Sequence, residues 1–108
     1  MRQAGIIAAG ALHALRYHRA RLSEDHANAK ALAEGISKCK GFEVAPDEVE
    51  TNMVRFRKPG LPVKDVVEKL WSHGVLVLAA DPKTIRAVTN LMVSAEDIKR
   101  AIAVIAKI

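Results

Sequence analysis

Thr51-Asn52-Met53-Val54-Arg55-Phe56-Arg57 alternates along an extended chain, with Asn52, Val54 and Phe56 on one side and Thr51, Met53 and Arg55 on the other. A period of two carried by apolar residues predicts a half-buried strand. Phe42 to Val44 forms a shorter strand before it, joined through an acidic turn at Pro46 to Glu50. After it, Lys58-Pro59-Gly60 turns the chain and Pro62 suits the first turn of a helix. Val63, Val66, Val67, Leu70 and Trp71 follow helical spacing, which places Trp71 in the core, and Asp65 is set to pair with Lys69. Gly74 ends that helix. Val75 to Ala79 predicts a buried strand and Ile85 to Val88 another, separated by the Asp81-Pro82 turn. Ser94 then caps a last helix, with Asp97 approximating a capping box and Ile98, Ala101, Ile102 and Ile105 facing inward.

Toward the N-terminus, residues 2–17 form an Ala-rich helix whose Ile6, Ile7, Ala11, Ala14 and Leu15 give it a wide apolar surface. Gly5 and Gly10 weaken it by about 1 kcal/mol each relative to Ala, and small residues of this kind let another backbone approach. Ser23 is the expected N-cap of a second helix, with Glu24 and Asp25 in its positively polarised first turn. That helix runs to about Lys38, with Ala29, Leu32, Ala33 and Ile36 inward and Glu34 set to pair with Lys38. Gly41 is its stop. The order is therefore α-α-β-β-α-β-β-α, an α+β fold with helices packed on an antiparallel or mixed sheet. Residues 1–108 are expected to make one domain, with 1–17 an apolar linking helix and 18–108 the α/β small domain.

Composition narrows the function classes. The chain has 108 residues, half of them apolar, enough to bury roughly two-thirds of its unfolded surface. Trp71, Tyr17, Phe42 and Phe56 are its only aromatics, so Ala, Val, Leu and Ile must build the core. The net charge of +5 is spread out, with no basic run longer than Arg55-Phe56-Arg57-Lys58. Without a stacking platform this argues against nucleic acid as a partner. Cys39 stands alone and is read as an incidental thiol, the lesser alternative being a pKa lowered somewhat by the flanking Lys38 and Lys40. The histidines at 13, 18, 26 and 73 lack metal-ligand spacing, so no metal site is expected. Residues 1–23 carry four arginines and no acid, superficially like a transit peptide, but His13 and Arg16 interrupt the apolar stretch. A folded helix, no membrane span and a soluble, cytoplasmic protein are the expectation.

Three segments carry a family resemblance. Met1-Arg2-Gln3-Ala4-Gly5 is similar to the M-R-Q-A-G stretch of the low-specificity L-threonine aldolases. Arg21-Leu22-Ser23-Glu24-Asp25-His26-Ala27-Asn28-Ala29 is similar to their R-L-x-E-D-H-x-N-A. Thr51-Asn52-Met53-Val54, Gly74-Val75-Leu76 and Arg86-Ala87-Val88-Thr89 follow in the family's order. The resemblance covers the chain and implies the C-terminal small domain of a fold-type-I pyridoxal-phosphate (PLP) enzyme.

Those enzymes cleave threonine or allo-threonine to glycine and acetaldehyde, using a lysine Schiff base and the cofactor as an electron sink. Their Schiff-base lysine, pyridine-nitrogen aspartate and ring-stacking histidine lie upstream of the matched region, so no catalytic residue maps here. The resemblance implies Arg86 as the clamp on the substrate carboxylate, a role that suits a planar guanidinium. It implies Arg2 near the cofactor phosphate. His26 is expected to be structural. Asn90 and Met92 stand where the family usually has histidine and aspartate, so two ionisable groups beside Arg86 are lost. The expectation is a truncated threonine aldolase-like protein, inactive and without bound PLP when alone. Its partner through helix 2–17 is then a second copy or a separate catalytic-domain chain. The rival expectation is a non-enzymatic module that self-associates through that helix.

Overall fold

The computed structural model describes residues 1–108. In chain order the elements are α1 (Ala4–Tyr17), α2 (Leu22–Ser37), β1 (Glu43–Val44), β2 (Met53–Arg57), α3 (Val63–Ser72), β3 (Leu78–Ala79), β4 (Ile85–Val88) and α4 (Ala95–Ile105). Short 3-10 turns lie at Arg19–Arg21 and Pro46–Glu48. The strands pair antiparallel throughout, in the order β1-β2-β4-β3. The expected α+β order is the observed one, and the sheet is purely antiparallel. Both edge strands are only two residues long.

Alternation along β2 decides how the layers stack. Val54 and Phe56 are buried, while Met53, Arg55 and Arg57 are exposed. On β4, Ile85 and Ala87 are buried and Arg86 and Val88 face the other way. The buried face receives Ala29, Leu32, Ala33 and Ile36 of α2, Val66 and Leu70 of α3, and Ile98 and Ile105 of α4 in one cluster. Helices therefore cover one face and leave the other open, as the pattern predicts.

The packing of α4 on α2 leaves no room for a side chain at Gly35. A Cβ on Gly35 would meet Ile102 Cδ1 at 2.3 Å and Cγ1 at 2.6 Å. Gly35 is thus a point on α2 where Ile102 of α4 takes the place of a side chain. At the start of α4, Ser94 Oγ accepts from the Asp97 amide at 3.1 Å and Asp97 accepts from the Ser94 amide at 3.0 Å. The full capping box is formed.

Helix α1 buries no residue. Ile6, Ile7, Leu12 and Leu15 stay largely exposed on it. It packs on the 3-10 turn that follows and draws the molecule out to 49 × 27 × 24 Å. No helix is long and apolar enough to cross a membrane.

Several local expectations are corrected. Ser23 is not an N-cap: the 3-10 turn feeds α2 through helical backbone at Arg21 and Leu22, leaving no extended residue to cap. Its hydroxyl instead donates back to the Ala20 carbonyl. Trp71 is half-exposed rather than core. Strand β3 starts three residues late. The Val75 amide bonds back to the Leu70 carbonyl and the Val77 carbonyl accepts from Trp71 Nε1 at 2.7 Å, so neither serves a ladder. Neither the Glu34–Lys38 nor the Asp65–Lys69 ion pair forms; Lys64 pairs with Glu68 on α3 instead. Cys39 is buried, and desolvation raises its pKa, opposed in part by Lys58. The flanking lysines do not activate it.

Two stability predictions follow from the helix contacts. Gly35→Ala should destabilise by about 1–2 kcal/mol, because overpacking outweighs the gain of ~1 kcal/mol in helix propensity. In an Ile102→Ala background the same change should stabilise; urea titrations of the four-member cycle read the sign reversal. Hydrogen bonds from the Ser94 backbone and hydroxyl, with Arg100 beside, hold the Asp97 pKa down to about 2. A depressed carboxylate stabilises above its unfolded pKa of about 3.9, and that contribution is lost as pH falls through about 2. Asp97→Asn should therefore flatten the fall in melting temperature between pH 4 and 2.

Candidate functional site

Of the seventeen buried residues, only Asp25 and Thr89 are polar, and they meet. Thr89 Oγ1 donates to the Asp25 backbone carbonyl at 2.7 Å. The Thr89 amide donates to the Asn52 carbonyl at 2.9 Å, and Asn52 Nδ2 returns a bond to the Thr89 carbonyl at 2.8 Å. Asn28 Nδ2 reaches the Val93 carbonyl at 3.1 Å. These four residues tie the first turns of α2 to the ends of β2 and β4. Their motifs are a structural knot. His26 lies exposed beside it.

The open sheet face holds the arginines. Arg55 and Arg86 are direct cross-strand partners in the β2–β4 register. Arg86 is half-buried, and its Nε is buried with no hydrogen-bond partner. Leu78 flanks it across β3, and Met53 and Val88 add apolar surface two residues away. Arg57 is neutralised by Glu43, to which its Nε donates at 2.5 Å. No carboxylate lies within ion-pair distance of Arg55 or Arg86. Asp81, nearer the turn, spends its carboxylate on Thr84 and the Lys83 and Thr84 amides, which lower its pKa with a small contribution from Arg55.

Arg2 is exposed ahead of α1. A helix of fourteen residues rises about 21 Å, so Arg2 stands far along a projecting arm from the sheet. The chain does not itself bring Arg2 to Arg86. The main groove, about 590 Å³, runs between the Gly74–Val77 segment and α4 and contains neither arginine. No lysine lines it, and Asp97 on its wall is committed to Ser94 and Arg100. A PLP site needs a lysine within reach of a carboxylate that faces the ring nitrogen. These residues do not fit one.

Asn90 and Met92 are both exposed beyond β4, where Asn90 Oδ1 accepts from the Met92 amide at 2.8 Å. A neutral Asn closes this turn. Arg55 is the feature missed by sequence reasoning. It is read there as one exposed position of a strand, and only register sets it opposite Arg86. No group of His, Cys, Asp and Glu is arranged to hold a metal.

A family model described as beta-eliminating lyase matches residues 1–59. The chain belongs to the beta-eliminating lyase family. It is 34% identical over 101 residues to low-specificity L-threonine aldolase 1 of Arabidopsis thaliana, covering 91% of this chain and 28% of that protein. It is 37% identical over 98 residues to the low specificity L-threonine aldolase of Escherichia coli strain K12, again covering 91% and 28%. The chain thus spans less than a third of the length of the curated relatives it matches. Among solved structures, a mutant of C-DES with glycine covalently linked to its PLP cofactor superposes with a TM-score of 0.74 at 23% identity, covering 91% of this chain and 28% of that one. The cystine C-S lyase C-DES with cysteine persulfide gives 0.69 at 21% identity, covering 78% and 23%. These likenesses show the fold, that of part of a fold-type-I PLP enzyme.

The knot generates a direct prediction. Thr89→Val removes the hydroxyl that serves Asp25 and should cost about 1–2 kcal/mol in urea denaturation. Thr89→Ser should retain most of the stability.

Proposed function

We propose that this chain is the small-domain portion of a threonine-aldolase-like unit and that it cleaves nothing by itself. On this reading Arg86 clamps the substrate α-carboxylate, and the lysine that carries PLP lies outside these 108 residues. The observation that supports it most is Arg86 itself: half-buried on an open sheet face, with an unpartnered buried Nε, in a family segment. A guanidinium stays charged at any working pH and meets a carboxylate with two parallel hydrogen bonds. Fixing the carboxylate fixes the orientation of the bonds at Cα, which is this chain's contribution to the reaction. PLP, if held by a lysine-bearing domain beside this one, would supply the electron sink for cleavage of threonine or allo-threonine to glycine and acetaldehyde.

Helix α1 would supply the mating surface, since its exposed isoleucines and leucines form an apolar patch that a partner buries. Arg2, carried at its tip, would then reach the cofactor phosphate across the assembled interface. A cytoplasmic homo-oligomer of completed units belongs to the same reading. The exposure of α1 favours one rival, a non-enzymatic module in which two copies bury this helix against each other.

The test adds PLP and threonine to the chain alone, then to the chain with a lysine-bearing threonine aldolase domain supplied separately. Expected are no borohydride-trapped lysine and no acetaldehyde from the chain alone, and acetaldehyde release from the mixture. Arg86→Met should lower kcat/KM of the mixture by about 10- to 100-fold, equivalent to ~1.5–3 kcal/mol of charged hydrogen bonding. Stoichiometric trapping with turnover by the chain alone would overturn the proposal. No release from the mixture, together with a tight dimer by light scattering, would establish the rival instead.

A further inference from the structure

We infer that Arg55 and Arg86 together form a two-guanidinium site for a small, doubly charged oxyanion, a dicarboxylate or a phosphate. The inference rests on the reading of Arg86 as an anion-binding residue and adds a second cation and a ligand class to it.

The register places Arg55 directly opposite Arg86 on the same sheet face. Opposite residues of an antiparallel pair stand about 4.5–5.5 Å apart at Cα, close enough for two long side chains to meet at one ligand. Like charges so placed destabilise the pairing. Elsewhere on this face the charge is neutralised within the sheet, as Glu43 does for Arg57. Arg55 and Arg86 have no such carboxylate, and Asp81 is engaged by its own turn. The buried Nε of Arg86 is a further donor left unused. Leu78, opposite Arg86, and Met53 and Val88, two residues along on the same face, leave apolar surface beside the pair, which lowers the local dielectric and strengthens binding of an anion. A single carboxylate satisfies one guanidinium fork; a dianion is needed to neutralise both.

The experiment uses the 108-residue chain in chloride buffer and follows arginine Nε–Hε signals by NMR during titration with inorganic phosphate, malonate and acetate. Phosphate or malonate should move the Arg55 and Arg86 signals together, with the stronger of the two identifying the ligand source, and acetate should bind at least about fivefold more weakly. Arg55→Met and Arg86→Met should each weaken dianion binding at least tenfold, whereas Arg57→Met should leave it within twofold. Wild-type affinity in Arg55→Met would overturn the inference, and so would an equal loss in Arg57→Met. Acetate binding lost in Arg86→Met but kept in Arg55→Met sinks this inference alone and leaves the carboxylate-clamp reading standing. Dianion binding that needs both arginines, beside an inactive complemented mixture, supports this inference while the aldolase reading fails.

Discussion

Helix α2, packed on β1, β2 and α4, is the constraint on which the other elements depend. Its Ala29, Leu32, Ala33 and Ile36 share one buried cluster with Val54 and Phe56 of the strand it packs on. Thr89 pins its first turn to the strand ends, and Gly35 receives Ile102 near its last turn. With both ends held, the helix cannot rotate without breaking a buried hydrogen bond or opening a void. Strand register is fixed with it, because a slip of one residue would turn Val54 and Phe56 outward. The arginines occupy the open face as a consequence of this arrangement.

The residues that look most chemical divide by where their atoms are spent. Asp25, Asn28, Asn52 and Thr89 lie in the segments that carry the family resemblance, yet the hydrogen bonds of this group go to backbone. A motif can be retained for a folding reason as firmly as for a reaction. Arg86 differs because part of its donor capacity is unspent. Unspent polar capacity at a half-buried position is the better guide to a ligand than residue type.

Much of the fold was legible because its elements are strongly periodic. The alternation at 53–57 and the apolar spacing of 63–70 and 98–105 each admit one reading, and the capping box at Ser94 marks its helix. The misses are places where a tertiary contact overrode a local signal. Trp71 lies at a core-like position, but its indole is used to hold the Val77 carbonyl, which also shortens β3. Ser23 has a cap's sequence neighbours but not a cap's backbone. Gly35 carries no local sign that Ile102 fills the place of its side chain. For the candidate site, resemblance singled out Arg86 but not Arg55, since no local pattern reveals which residue on another strand will stand opposite.

The two outermost strands offer only a pair of residues each. An edge so short presents too few free amides and carbonyls to template another strand. Growth of this molecule by sheet extension into fibres or swapped dimers is thereby discouraged. Whatever it assembles with is directed toward side-chain surfaces, which discriminate between partners far better than a bare backbone does.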